Sequence, residues 1–185
     1  MSSLARRVIT NHERKLRLIF RLIRGVESFL GPEDDWVEDD RRRLFEWLQK
    51  RYGDSYTFVY HIDDTDYVTS VPLSPDEVDV LLHNNSYERN LVSGRKYRTY
   101  NGSKQWAHAS WARYYIPEQQ HHVFLFENED NGTDIYAHYE DDVVDPAAHL
   151  HIRDDDDDIV GMQRADPGPL YDIFEREGVE TYQNV

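Results

Sequence analysis

Two Asn-Gly dipeptides, Asn101-Gly102 and Asn131-Gly132, each stand between stretches rich in β-branched and aromatic residues. Asn-Gly accepts positive φ at both centres of a tight turn, so each dipeptide predicts a β-hairpin. Closing RKYRTYNGSKQWAH on the first sets Tyr97 opposite Trp106. Closing HHVFLFENEDNGTDIYAHYE on the second sets Phe126 opposite Ala137 and Phe124 opposite Tyr139 on one face. The other face then shows Leu125 opposite His138 and Val123 opposite Glu140, with His121, His138, Glu127 and Glu140 together. A longer turn shifts these partners and exchanges the faces, because side chains alternate with a period of two.

Helical patterns flank this β-rich centre. Ala5, Ile9, His12, Leu16, Ile19, Ile23, Val26 and Leu30 recur at steps of four and three, the rhythm of a helix burying one stripe. Arg14, Arg17, Arg21 and Arg24 fall opposite that seam, and Gly31-Pro32 ends it. A second helix is expected from about Asp40 to Tyr52, capped by Asp39 or Asp40, with Leu44, Trp47 and Leu48 as core candidates. SYTFVYHIDD and DYVTSVP read as strands. In SPDEVDVLLH, Ser74 is placed to cap, Pro75 to start the first turn and Glu77 to close a capping box. A last short helix is expected from Pro169 to about Glu177. The fold class is therefore α+β: a long N-terminal amphipathic helix and a second helix, then a small antiparallel sheet on two hairpins with short peripheral helices. The expected divisions are a basic arm over 1–31, a body over 32–152, and an acidic loop with C-terminal helix over 153–185.

Charge narrows the setting. The 185 residues carry a formal net charge of −15, from 22 Asp and 14 Glu against 17 Arg and 4 Lys. This Asp-rich, Lys-poor composition resembles that of acidic proteins from halophilic archaea and their tailed viruses, a likeness of composition that names no family. The resemblance implies a virion, or the cytoplasm of a halophilic host, as the place of action. Molar salt shrinks the Debye length to about 3 Å and screens the self-repulsion such a chain carries. Without cysteine there is no disulfide framework, zinc ribbon or thiol nucleophile. No stretch of about 18 apolar residues offers a membrane span. The N-terminus lacks the apolar core of a secretory signal, though its Arg-rich, acid-poor character resembles a transit peptide.

Two cationic islands interrupt the acidity. Residues 1–24 hold seven of the 21 Lys and Arg and one acid, Glu13. A cationic amphipathic helix of this kind suits an anionic membrane, a nucleic acid or an acidic protein surface, or it packs on its own domain. From Arg89 to Pro117 there are six Lys or Arg and no acid, interleaved with Tyr97, Tyr100, Trp106, Trp111, Tyr114 and Tyr115. Rings and cations together serve single-stranded nucleic acid, through stacking and phosphate contacts, and equally serve protein interfaces. Molar salt weakens phosphate binding by counterion release but leaves apolar burial intact. The expected function is therefore assembly: protein–protein contacts in a larger complex, with a haloarchaeal virus capsid, neck or tail as the setting. The contact residues are Leu16, Ile19, Ile23, Arg14, Arg17, Arg21, Arg24, Arg95, Tyr97, Arg98, Trp106 and Trp111. The alternatives are a single-stranded nucleic-acid binder working through 89–115 and a metal-dependent enzyme. His121, His138 and Glu140 are the metal candidates, since two His and a carboxylate suit a divalent ion. Their spacing matches no established motif, and GxSxG, P-loop and dinucleotide fingerprints are absent. No cofactor and no catalytic residue is expected.

Overall fold

The computed structural model describes residues 14–15, 18–19, 21–22, 35–52, 59–62, 64–90, 96–116, 119–141 and 162–182. At its centre β7 (Gln119–Glu127) and β8 (Thr133–Asp141) pair antiparallel along their whole length. On the far side of β7 come β6 (Ala109–Ile116) and then β3 (Glu88–Arg89). On the far side of β8, β2 (Tyr67–Val71) and β9 (Gln163–Arg164) pair with different stretches of the strand. A smaller sheet holds β1 (Tyr60–His61), β4 (Lys96–Tyr100) and β5 (Ser103–Trp106). Only the β1–β4 contact in it is parallel. Among the described residues three continuous helices complete the α+β fold: α1 (Asp35–Tyr52), α2 (Pro75–Asn84) and α3 (Gly168–Arg176).

Both faces of the large sheet are covered. Val123, Leu125, Ile135, Ala137, Ala109 and Trp111 point to one side, where Val78 and Leu82 of α2 and Leu170, Ile173 and Phe174 of α3 close the main core. The C-terminal helix is thus part of the same core as the strands. Phe124, Phe126 and Tyr136 point the other way and pack with Ile62 and Ala107 under the small sheet. Strands buried on both faces read as near-continuous apolar runs, which is why VFLF carries no alternation.

Local chemistry explains the boundaries. Ser74 Oγ accepts from Glu77 N–H, while Glu77 Oε2 accepts from Ser74 N–H at 2.8 Å, so α2 begins with the capping box its sequence carries. Asn101 and Gly102 form the two-residue link of β4 to β5, with φ of 49° and 75°, and Tyr97 stands opposite Trp106. The β7–β8 link is longer. It spans 128–132, and Asn128 Oδ1 accepts from the N–H groups of Asp130 and Gly132. The longer link corrects the expected register: Phe126 faces Asp134, Phe124 faces Tyr136, and His122 faces His138. An odd shift moves His121 and Glu127 to the face opposite His138 and Glu140. Gly132 also sits where a Cβ would lie 2.5 Å from the Val71 carbonyl oxygen. Gly132→Ala is expected to lower stability by about 1–3 kcal/mol in urea unfolding, because backbone rather than a flexible tip must yield.

α1 starts five residues before the expected Asp40, so Asp39 and Asp40 lie inside it and do not cap it. Phe45 and Leu48 are its buried residues; Leu44 is half-buried and Trp47 is 55% exposed. Of the expected N-terminal helix, Arg14, Lys15, Leu18, Ile19, Arg21 and Leu22 are helical. Leu16, Ile23, Arg17 and Arg24 lie outside the described residues, as do Arg95 and the acidic run 154–158.

Candidate functional site

The register that brings His122 opposite His138 also places a polar cluster between the two sheets. Gln120, His122, His138 and Glu140 project from β7 and β8, Ser110 from β6, and Lys96 from β4. Asp66 reaches in from the 3-10 turn Asp64–Asp66 that precedes β2. Lys96 Nζ lies 2.7 Å from His138 Nε2 and 3.0 Å from Glu140 Oε2, and its side chain is fully buried. His138 Nε2 in turn stands 3.2 Å from Glu140 Oε2, while its Nδ1 lies 2.8 Å from Asp66 Oδ2. Glu140 Oε1 accepts from Gln120 Nε2 at 2.8 Å and lies in ion-pair contact with His122 Nδ1. Ser110 Oγ is 2.6 Å from His122 Nε2.

One set of protons serves these contacts except that between His138 Nε2 and Glu140 Oε2, which both accept from Lys96. His138 carries its proton on Nδ1 and donates to Asp66, leaving Nε2 to accept from the Lys96 ammonium. His122 carries its proton on Nδ1, beside Glu140 Oε1, while Ser110 donates to Nε2. Burial pushes His122 down to about 3, against the pull of Glu140, so it stays neutral. The face of Phe124 lies 4.5 Å from Lys96 Nζ and excludes water there. Such a network is a buried ammonium–imidazole–carboxylate array rather than a solvent-filled pocket.

His122, His138 and Glu140 are also the set whose ligand atoms fall within 4.8 Å of one another. His122 takes the place expected for His121. His121 sits on the helix side, its Nδ1 2.8 Å from the Tyr87 hydroxyl, with burial lowering it to about 4. A metal bridging His138 Nε2 and Glu140 Oε2 would press against the ammonium that already touches both, so the donor set as arranged fits Lys96 rather than a dication. A second set, Asp76, Asp79 and His108, lies at the surface. There Asp79 is engaged by the Trp111 indole at 2.6 Å and burial raises its carboxyl, while Asp76 pairs with His108 at 3.0 Å.

The aromatic-basic segment divides between inside and outside. Arg98 was expected at a partner surface but is buried: its guanidinium meets Asp134, Gln105 Oε1 and the Glu127 carbonyl, over the rings of Tyr100 and Phe126. Trp111, also expected there, is 3% exposed and belongs to the main core. Strand alternation accounts for Arg98, since residues 96 and 98 point inward while 97 and 99 point out. Tyr97 and Trp106 remain half-buried on the outer face of the small sheet, with Lys104 Nζ 4.0 and 3.8 Å from their ring centres and His61 beside Tyr97. Among the described residues no helix is long and apolar enough to cross a membrane. Comparison of the chain with protein-family models, curated proteins and solved structures yields no match.

Proposed function

We propose that this protein works by assembly rather than turnover, contributing protein–protein contacts to a larger complex. The carrying observation lies in the described helical residues 14–15, 18–19 and 21–22. Leu18 and Leu22, one turn apart on one stripe, are 57% and 60% exposed beside exposed Arg14 and Arg21. An apolar stripe with guanidiniums at its edge suits a partner that is apolar at the centre and acidic at the rim, and a second copy of this acidic chain offers such a rim. Tyr97, Trp106 and Lys104 add a second, smaller contact surface. The setting we favour is the virion of a haloarchaeal tailed virus, on composition alone. Interior placement of Arg98 and Trp111 subtracts two groups that a nucleic-acid platform in 89–115 would use.

Deleting residues 1–30 is expected to leave the β-rich body folded and to abolish higher-order association in molar salt. The narrower change Leu18→Glu with Leu22→Glu is expected to weaken association about a hundred-fold, since each leucine contributes about 1.5–3 kcal/mol when buried. Sedimentation of the three chains is the measurement. Truncated protein that sediments as the intact chain does, allowing for its mass, refutes the assembly role of the segment.

A further inference from the structure

We propose that Lys96 and Glu140 condense with each other, forming an Nζ–Cδ amide that ties β4 of the small sheet to β8 of the large one. The inference is independent of the assembly reading and stands on the geometry of the cluster. Every participant in an acyl transfer is present. The nucleophile Lys96 Nζ lies 3.0 Å from Glu140 Oε2, one bond short of the carbon it would attack. A base, His138 Nε2, lies 2.7 Å from that nitrogen, and Asp66 at its Nδ1 holds the tautomer and steadies the imidazolium. Gln120 Nε2 donates to Oε1 at 2.8 Å, and His122 Nδ1 stands against the same oxygen, where oxyanion charge would develop.

His138 Nε2 touches both Lys96 Nζ and Glu140 Oε2, which makes it a shuttle between the two. The ammonium first gives one proton through His138 to Oε2, leaving an amine beside a carboxylic acid. The nitrogen lone pair then attacks Cδ, and the electrons of the C=O bond move to Oε1. His138 carries a second nitrogen proton to Oε2; the Cδ–Oε2 bond breaks and that oxygen departs as water. The third nitrogen proton stays as the amide N–H, so the three protons of the ammonium are all placed, and no oxidant, metal or co-substrate is needed.

Burial favours this direction. An ammonium and a carboxylate held at 0% and 2% side-chain exposure carry a desolvation penalty that a neutral amide does not. The shielding by Phe124 keeps water from reversing the bond.

The test is the intact mass of the full chain, purified in molar salt and then denatured. The expected mass is one water below the sequence value, with a protease map showing a branched peptide that joins Lys96 to Glu140. Lys96→Arg is expected to show its full sequence mass. In a refolding time course Asp66→Asn is expected to form the link roughly a hundred-fold more slowly, the scale of a base that has lost its orientation. Folded wild-type chain at its full sequence mass, or a missing water that maps elsewhere, overturns the proposal. Link formation by Asp66→Asn at the wild-type rate removes Asp66 from it.

Discussion

Arg98→Met is expected to cost about 3–5 kcal/mol in urea unfolding, the range for removing one partner of a buried charge pair. Arg98 and Asp134 have side chains only 6% and 7% exposed. The guanidinium is the bolt between the sheets, reaching Asp134 on β8, the Glu127 carbonyl on β7 and Gln105 on β5. Methionine fills the stem's volume but leaves the Asp134 carboxylate with Ser70 and Asn128 alone, and leaves the Glu127 oxygen with one donor, Gln105 Nε2. Arg98→Lys restores the charge without the planar fork and should recover about half of the loss. A loss below about 1 kcal/mol for Arg98→Met would mean that Asp134 finds water, and that the two sheets are less tightly apposed than the contacts imply.

The same residue shows what the sequence could and could not disclose. Where a structure follows from neighbours along the chain, the residues announce it: Ser74, Pro75 and Glu77 specify the start of α2 without reference to anything distant. The two-residue reach of Asn101-Gly102 leaves one register for Tyr97 and Trp106. The second link fails as a guide because Asn128, three residues before the dipeptide, gathers the N–H groups of Asp130 and Gly132 and lengthens the turn. That lengthening exchanged His121 for His122 in the polar cluster, a choice of face that only loop length decides. Arg98 reads as a surface cation because charged side chains are rarely buried unless paired, and Lys96, buried likewise, carries no local sign of it. Their partners, Asp134 and Glu140, lie 36 and 44 positions away, beyond what local pattern can link. Inside an acid-poor segment, alternation at 96, 98 and 100 in β4 was the available hint.

Acidification in molar salt is expected to remove about 6 kcal/mol of stability between pH 6.5 and pH 4. Burial holds His121 at about 4 and His122 at about 3 in the folded chain, both below the ordinary value of 6.5. Because the folded values are the lower ones, the unfolded chain binds protons first as pH falls. Stability is therefore full above 6.5 and is lost on acidification, His121 contributing down to about pH 4 and His122 further, to about pH 3. At about 1.4 kcal/mol per pH unit for each group, the two together lose roughly 6 kcal/mol by pH 4. Against a typical total of about 5–15 kcal/mol, that brings the chain close to unfolding. Two effects oppose it: the buried Asp79 carboxyl, raised in the fold, gains stability as it protonates, and protonating surface carboxylates relieves the repulsion of a −15 chain. Molar salt has already screened that repulsion, so the histidine loss stands clear there and is partly masked at low salt. Denaturant midpoints at pH 7, 5.5 and 4.5 measure it. His121→Phe gives up the Tyr87 contact at every pH yet should flatten the acid slope by about half, because one of the two proton-binding groups is gone. A midpoint that holds steady from pH 6.5 to 4.5 in brine would mean that these imidazoles find charge stabilisation inside the fold, and the neutral tautomer assigned to His122 would fall with it.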